Sequence, residues 1–267
     1  MNFDEYRAID AVNFSTLKAM KRSPLHYRYA MEHPVEATSA MQVGTATHCM
    51  VLEPSQFPPR YVVWTGGRRA GKEWDAFEAS NLDKTIIKAD EYDYCVAMRD
   101  AVHSHPAAGP ILAQGEAEKV IQWVDPETGL ACKGRLDWVG GSIADLKTTQ
   151  DADPRRFGGV AARYGYHEQM AWYRWGVECA LGLVDMPCHL ITVESAAPHD
   201  VVVYTLDELT LGAGLESARE LLRRVAACRA SGEWPGRYAG ETTLNFPRWA
   251  FDSEEDAATE LGLVING

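Results

Sequence analysis

The sequence lacks the long apolar segments that mark membrane and secreted proteins. No apolar run reaches the roughly 20 residues that a transmembrane helix needs. The N-terminal residues, Met-Asn-Phe-Asp-Glu-Tyr, contain neither the basic start nor the apolar stretch of a secretory signal peptide. We therefore expect a protein of the cytoplasm that has no membrane partner.

Cysteine is present but lacks the spacing of a metal site. The six cysteines include no Cys-x-x-Cys pair, and none has a histidine at zinc-site spacing. This pattern predicts reduced, mostly buried thiols and argues against an iron–sulfur cluster. The chain also lacks a Gly-x-x-x-x-Gly-Lys-Ser/Thr loop, so nothing indicates nucleotide hydrolysis.

Positive charge is scarce in this chain. There are 26 lysines and arginines against 38 aspartates and glutamates, for a formal net charge of −12. Taken alone, this balance opposes nucleic-acid binding, which usually needs a basic surface. It does not exclude such binding, because an acidic chain can still have a locally basic channel.

Residues 54–90 contain the most cationic stretch and are rich in proline and glycine, which predicts a loop region. Within it, Arg68, Arg69 and Lys72 lie close to Trp74 in the sequence. This combination is a candidate DNA-backbone and base-stacking element. The same composition is equally typical of a solvated, mobile loop.

The length of 267 residues is sufficient for one large domain. The composition is ordinary for a globular protein, and there is no internal repeat or low-complexity linker. We expect a single domain over residues 1–267, with an N-terminal helical part, about residues 1–55, packed on its core.

The central feature of the sequence is a predicted β-hairpin with three charged side chains. β-prone segments flank Gly140-Gly141, which predicts a two-residue turn. The hairpin places Asp137 near Asp145, and Asp145 shares a strand face with Lys147. Two carboxylates suit Mg²⁺, and the lysine can orient an attacking water or stabilise charge on a phosphoryl oxygen. An Asp-x-Lys triplet also occurs by chance on many surface hairpins.

A run of small residues precedes a histidine in a predicted helix over residues 38–53. Small side chains allow close approach to a neighbouring element, and His48 lies on the same helix face as Gly44. A lone helical histidine is usually structural. A neutral imidazole beside two carboxylates is also a suitable third metal ligand.

The strand that leads into the hairpin carries another acidic residue. Residues 116–136 predict a strand, a turn and a second strand, so the hairpin continues an antiparallel meander. Glu118 lies on the first of these strands. Its carboxylate either faces the metal or occupies a strand edge.

Further elements follow the hairpin. Residues 164–177 predict a helix on which Gln169 and Tyr173 share a face and form a polar–aromatic stripe with Tyr166. On spacing alone, such a stripe is more often part of a core. Residues 187–205 then predict a second hairpin, and residues 207–231 predict a long amphipathic helix.

In this order, the motifs resemble the PD-(D/E)XK nuclease superfamily, and within it the RecE-type (exodeoxyribonuclease VIII) branch with its RecB-like motifs. The hairpin is similar to motifs II and III, the string Gly-x-Ala-x-His-x-x-x-Leu-Glu-Pro is similar to the opening motif, and Gln-x-x-x-Tyr is similar to the additional RecB-type motif. The likeness extends from about Ser15 to Trp249 and includes the strings Ser-Pro-Leu-His-Tyr and Pro-Arg-Trp-Ala. The positions that match are His48, Asp137, Asp145, Lys147, Gln169 and Tyr173.

The resemblance implies an α/β, restriction-endonuclease-like core with a central mixed β-sheet flanked by helices. It implies metal binding by His48, Asp137 and Asp145, with Glu118 where relatives place a further acidic residue. It also implies a catalytic set of Asp137, Asp145, Lys147, Gln169 and Tyr173.

The activity that the resemblance implies is Mg²⁺-dependent and ATP-independent digestion of linear double-stranded DNA, 5′→3′, with Mn²⁺ able to replace Mg²⁺. The 3′ single-stranded overhang would serve strand annealing by a RecT-like partner in phage-type recombination. Relatives form ring-like homo-oligomers, so we expect a trimer or tetramer of phage or prophage origin in the bacterial host cell. Two alternatives stay open: an endonuclease that uses the same residues, and a non-catalytic module that binds DNA ends.

Overall fold

A computed structural model describes residues 3–33 and 38–247 of the chain. These residues form seven β-strands: β1 (Tyr61–Trp64), β2 (Thr85–Lys88), β3 (Gly115–Val124), β4 (Ala131–Gly140), β5 (Ile143–Thr149), β6 (Cys188–Glu194) and β7 (Val201–Thr205). The first α-helices are α1 (Phe3–Ala8), α2 (Phe14–Leu17), α3 (Pro24–Glu32), α4 (Ser39–Leu52), α5 (Phe57–Arg60) and α6 (Lys72–Ala79). The others are α7 (Ala89–Ser104), α8 (Ala108–Ile111), α9 (Pro154–Tyr164), α10 (Tyr166–Leu181) and α11 (Glu208–Ser231), and short 3-10 helices span Lys18–Lys21 and Pro54–Gln56.

The five longer strands form one mixed sheet in the order β3-β4-β5-β6-β7. β5 and β6 run parallel, with Asp145 opposite Leu190, and the other neighbours are antiparallel. Because parallel strands need a long crossover, α9 and α10 fill the connection between β5 and β6. The predicted meander and the predicted second hairpin are both confirmed.

Alternation along β5 divides the core between the two faces of the sheet. Ile143 packs in the same buried cluster as Trp172 of α10 and the apolar face of α11. Ala144 and Leu146 pack in a second cluster with Val51 of α4 and with α7. Helices therefore cover both faces, and the predicted α/β class with a central mixed sheet is confirmed, as is the amphipathic helix over residues 207–231.

Residues 54–90 do not form the predicted loop region. β1 and β2 pair in parallel, with Tyr61 opposite Thr85, and α5 and α6 lie in the same stretch. The prediction was wrong because each strand has only four residues, and the surrounding proline and glycine signals outweigh so short a pattern. Within this stretch, Arg68 and Arg69 lie on the link between β1 and α6, and Lys72 is the first residue of α6.

The turn of the central hairpin lies one residue later than predicted. Gly140 remains in β4, and its N–H donates to the carbonyl of Ser142 at 2.9 Å. Gly141 and Ser142 therefore link the two strands in place of Gly140-Gly141. The shift leaves Asp145 and Lys147 on one face of β5, as predicted.

The six cysteines are free; five are buried and Cys179 is exposed, which confirms the predicted thiols. Across the described part of the chain, no helix is both long enough and apolar enough to cross a membrane. The predicted domain over 1–267 and the Pro-Arg-Trp-Ala string extend beyond the described residues, because residues 248–267 lie outside them.

Candidate active site

The site begins where β4 and β5 separate. The two strands pair only near the turn, with Trp138 opposite Ala144 and Val139 opposite Ile143. Further from the turn, the Asp137 side chain spans the gap, and its Oδ2 accepts a hydrogen bond from the backbone N–H of Leu146 at 2.9 Å. The opening between the strands thus places one carboxylate beside the segment that carries Asp145 and Lys147.

Asp145 and Lys147 form the charged centre of the site. Their side chains leave β5 on the face that packs against α10, and Lys147 Nζ lies 2.5 Å from Asp145 Oδ2. The Asp145 side chain is only 1% exposed, so this carboxylate is held almost entirely away from bulk water. The predicted convergence of two carboxylates and one ammonium is present in the structure.

Helix α10 joins the two charged groups through one amide. Gln169 Oε1 accepts from Lys147 Nζ at 3.2 Å, and Gln169 Nε2 lies 3.2 Å from Asp145 Oδ1 and 2.9 Å from Tyr173 Oη. The shared face of Gln169 and Tyr173 is therefore as predicted. Gly165, which adopts a left-handed φ of 72°, ends α9 and allows α10 to start in this orientation.

Helix α4 brings His48 to the other carboxylate. His48 Nδ1 lies 3.3 Å from Asp137 Oδ2. Gly44, one turn before His48 on the same helix face, lies against β5: a Cβ there would be 3.5 Å from Thr148 Oγ1, an ordinary contact distance, so the position does not require glycine. The face of α4 that carries Gly44 and His48 therefore lies against the sheet.

Glu118 lies beside this cluster in an unusual backbone conformation. It sits within β3 with φ of 52°, in the left-handed region that non-glycine residues seldom adopt. The β3–β4 pairing continues on either side but skips Glu118 and Asp137, which would otherwise be partners. Its carboxylate contacts Arg135 Nε at 2.6 Å. Strain of this kind clusters at functional sites, and the ligand role of Glu118 stays a prediction.

The electrostatics of the site follow from burial and close like charges. Burial raises the pKa of Asp145 to about 6, with Lys147 opposing and Asp137 adding to the rise. Burial acts in the same direction on Asp137, but His48, Lys147 and the Leu146 N–H outweigh it and lower its pKa. Burial also raises the pKa of Glu118 to about 7, helped by Asp137 and opposed by Arg135. The site therefore contains carboxyl groups of clearly different acidity.

The residues present are chemically suited to a divalent metal ion. Asp145 Oδ2 is buried and lies 2.5 Å from Lys147 Nζ, but it accepts no well-directed hydrogen bond. Among the described residues, no three histidine, cysteine, aspartate or glutamate side chains are grouped so as to hold a metal ion by themselves. Mg²⁺ does not need such a group, because one or two carboxylates with water and phosphate oxygens satisfy it. The pair Asp137 and Asp145 fits that requirement.

His48 has two roles compatible with its position. It contacts Asp137, whose charge raises the pKa of the imidazole against the opposing effect of burial. An imidazole there either orients the carboxylate or turns to become a ligand itself. The ligand role stays a prediction.

The cationic stretch lies on the β1–α6–β2 unit, at the N-terminal half of α4. Arg69 Nη2 donates to the Ile86 carbonyl at 2.8 Å, and its guanidinium lies 5.4 Å from the centre of the Trp74 ring. Arg68 and Lys72 are exposed. A surface depression next to Arg69 and Trp74 also includes Gln42, which precedes His48 by six residues, or about 9 Å of helix rise. The DNA-binding role of these residues stays a prediction.

One contact of the site had no clear signal in the sequence. Lys147 Nζ lies 4.5 Å from the centre of the Tyr166 ring, in cation–π geometry. Spacing placed Tyr166 on the helix face of Gln169 but did not show that the ring would meet the lysine. Lys18, near the N-terminus, lies close enough for the charge of Lys147 to help burial lower its pKa.

The fold and the site together define a PD-(D/E)XK-like protein: a mixed sheet whose separating hairpin presents Asp137, Asp145 and Lys147. The chain belongs to the family described as PDDEXK-like domain of unknown function (DUF3799), which matches residues 13–244. No curated protein matches the chain.

Solved structures give two further likenesses. A protein from Eubacterium rectale named "Putative exonuclease" aligns with a TM-score of 0.64 and 12% identity, over 96% of this chain and 97% of that one. A phage related exonuclease from Haemophilus somnus aligns with a TM-score of 0.35 and 12% identity, over 84% of this chain and 96% of that one. The first likeness confirms the fold, and membership of the RecE-type branch stays a prediction.

Proposed function

We propose that this protein is an Mg²⁺-dependent, ATP-independent exonuclease of linear double-stranded DNA. The observation that carries the proposal is the buried Asp145, held between Lys147 and Gln169 and next to Asp137. Burying a carboxylate costs free energy unless the group has a charged or hydrogen-bonding partner. The neighbours of Asp145 are an ammonium, an amide and a second carboxylate, all of which can serve phosphodiester hydrolysis. The name of the Eubacterium rectale protein is consistent with this activity.

Asp137 and Asp145 are the residues that would hold the metal, with His48 able to join them. When bound, Mg²⁺ would lower the pKa of a water molecule and polarise a phosphoryl oxygen. Mn²⁺ has the same preference for oxygen and nitrogen ligands and is proposed as a substitute.

The chain's own groups position the reactants. Lys147 Nζ is fixed by Asp145 and Gln169, so its N–H groups have a defined direction toward a water or a phosphoryl oxygen. The ammonium form prevails because Asp145 and Asp137 raise the pKa of Lys147 against the effect of burial. Lys147 therefore stabilises negative charge at phosphorus and orients the attacking water through hydrogen bonds that it donates. Tyr173 holds the Gln169 amide in place.

The finer features of the proposal are 5′→3′ polarity, a 3′ single-stranded overhang and strand annealing by a RecT-like partner. A homo-oligomeric ring, trimer or tetramer, that acts in the cytoplasm of a bacterial host completes it. Light scattering of the purified protein tests the ring: a mass of three or four chains is expected, and a monomer would contradict it.

The activity is tested with linear duplex DNA and covalently closed circular DNA, with and without Mg²⁺ and without ATP. We expect loss of the linear substrate alone, and only with the metal. Release of label from 5′-labelled ends ahead of 3′-labelled ends then tests the polarity. Cutting of the circle would instead support the endonuclease alternative. Binding of DNA ends without cleavage of either substrate would support the non-catalytic alternative.

A further inference from the structure

A short series of aromatic rings leads from the catalytic lysine to the protein surface. Tyr166, whose ring lies under Lys147 Nζ, stacks on Tyr164 with ring centres 5.7 Å apart and planes inclined by 17°. Tyr164 is the last residue of α9 and is 55% exposed. From the two separations, 4.5 and 5.7 Å, the Tyr164 ring lies at most about 10 Å from Lys147 Nζ, or about three base steps of 3.4 Å.

The exposed Tyr164 ring stacks on a row of other aromatic side chains inside the protein. Tyr166 packs against Phe157 with ring centres 6.1 Å apart, and Phe157 stacks on Tyr204 at 5.2 Å and 11°. The Tyr204 hydroxyl donates to the carbonyl of Ala152, which fixes that end of the series. A single exposed tyrosine is ordinary, but a ring stacked on a supported row beside a catalytic lysine is a preformed flat surface.

The helix that carries Tyr164 is positively charged in a chain of net charge −12. α9 contains Arg155, Arg156 and Arg163 and no acidic residue. Arg155 and Arg156 are 93% and 78% exposed, and Arg163 lies seven residues after Arg156 and so on the same helix side. Their contacts with Asp153 and Asp151, at 3.8 and 2.8 Å, are surface ion pairs, which are weak and exchange readily with phosphate.

The outer side of α9 also leaves room for a close partner. A Cβ atom added at Gly158 or Gly159 would meet nothing within 4 Å, so the helix surface between the arginines is bare. In the chain, α9 connects β5 to α10, the two elements that carry the proposed catalytic residues. Positive charge, a smooth surface and a terminal aromatic ring therefore lie together beside the site.

We propose that Tyr164 is a stacking platform for an unpaired base of the DNA end, and that the arginine side of α9 binds the backbone of the same strand. The inference rests on the proposed nuclease function and adds the part of the chain that holds its substrate. The occupant is single-stranded, because a base inside a duplex has both faces covered by its neighbours. Stacking accepts any base, so this contact positions the strand without selecting its sequence.

The test measures binding without cleavage, in an Asp145→Asn background. The probe is a duplex with a short single-stranded end that carries the fluorescent base 2-aminopurine in the unpaired segment. We expect the Asp145→Asn protein to quench the fluorescence of the probe. Adding Tyr164→Ala to this variant should abolish the quenching and weaken binding of the probe about tenfold. Tyr164→Phe should retain both, because the ring remains. Tyr94→Ala, at another exposed tyrosine (49%), is the matched control and should behave like the parent.

Salt dependence tests the arginine side. A plot of log affinity against log salt concentration has a negative slope. Replacing Arg155, Arg156 and Arg163 together by glutamine should make this slope less steep by about 2, because three phosphate contacts to a single strand are lost. Arg223→Gln, at an arginine already paired with Glu127 and Glu220, should leave the slope unchanged.

Two results would overturn the inference. Quenching and affinity unchanged by Tyr164→Ala would remove the platform, and an unchanged salt slope in the triple variant would remove the backbone contact. Either result is compatible with full nuclease activity of the natural chain. Failure of the proposed function itself would appear separately, as a natural chain that leaves linear duplex DNA intact in Mg²⁺.

Discussion

Gln169 donates one hydrogen bond to Asp145 Oδ1, at 3.2 Å, across the interface between helix α10 and the sheet. Because the same amide accepts from Lys147 Nζ at 3.2 Å, it fixes the relative position of the Asp145 carboxylate and the Lys147 ammonium. The two charged groups thus depend on a neutral side chain from another element for their geometry.

Removal of this amide should lower the rate of cleavage and leave the fold intact. Gln169→Ala removes the bridge between two charged groups; loss of the equivalent of one charged hydrogen bond in the transition state, about 1.5–3 kcal/mol, should lower kcat on linear duplex DNA about 10- to 150-fold. Gln122→Ala, at an exposed glutamine of β3, is the control and should match the natural chain. An unchanged kcat in Gln169→Ala would mean that the bridge has no part in the reaction.

His48 should contribute to metal affinity, either as a ligand or by orienting Asp137. We expect His48→Ala to weaken Mn²⁺ binding, measured by electron paramagnetic resonance, about 10- to 100-fold. His33→Ala, at an exposed histidine of the surface, is the control. Equal affinities for all three proteins would remove His48 from the metal site.

Metal affinity should depend on pH through Asp145. Its pKa is raised to about 6, so a proton competes with the metal once the pH falls below that value. Titration of Mn²⁺ between pH 8 and pH 5 should show affinity that is constant at first and then decreases. Asp145→Asn should bind Mn²⁺ more weakly and should lack the decrease in affinity that protonation of Asp145 causes. A natural chain whose Mn²⁺ affinity stays constant down to pH 5 would contradict the assignment of Asp145 as a metal ligand.

Glu118 should make the free energy of unfolding depend on pH. Its pKa in the folded chain, about 7, lies above the ordinary value of 4.5, so the folded state binds the proton more tightly than the unfolded state. The free energy of unfolding therefore decreases as pH rises from about 4.5 to 7 and stays low above, a loss of up to about 3 kcal/mol. Urea unfolding in EDTA at pH 5 and pH 8 measures it.

Two variants isolate this contribution. Glu118→Gln should show a smaller decrease in the free energy of unfolding between pH 5 and pH 8 than the natural chain. Glu116→Gln, at an exposed glutamate of the same strand, should keep the full decrease. If the two variants behave alike, the raised pKa is not a property of Glu118.

Much of the site was predictable because it depends on short-range periodicity. Asp145 and Lys147 share a face through the two-residue repeat of a strand, and Gln169 and Tyr173 meet through the four-residue spacing of a helix. The hairpin that presents Asp137 also follows from local signals. Sequence reasoning fails by one residue at the turn, because the backbone bond between Gly140 and Ser142 decides which residues form the link.

Other features depend on contacts that no local pattern contains. The left-handed conformation of Glu118 has no signal, since glycine is the residue expected there. The helix α9 was not predicted, because Gly158-Gly159 weakens its helical propensity and its stability comes from burying Phe157. β1 and β2 pair across about 20 intervening residues of chain, which short patterns cannot indicate.

The central claim is that Asp137, Asp145 and Lys147 form a metal-dependent hydrolytic site. The most direct measurement is digestion of end-labelled linear duplex DNA in Mg²⁺ by the natural chain and by Asp145→Asn, with Asp90→Asn, at an exposed residue of α7, as the control. We predict that Asp145→Asn loses at least about 1,000-fold in rate with an unchanged circular dichroism spectrum, while Asp90→Asn retains full activity. A folded Asp145→Asn protein that digests the DNA at the natural rate would contradict the account.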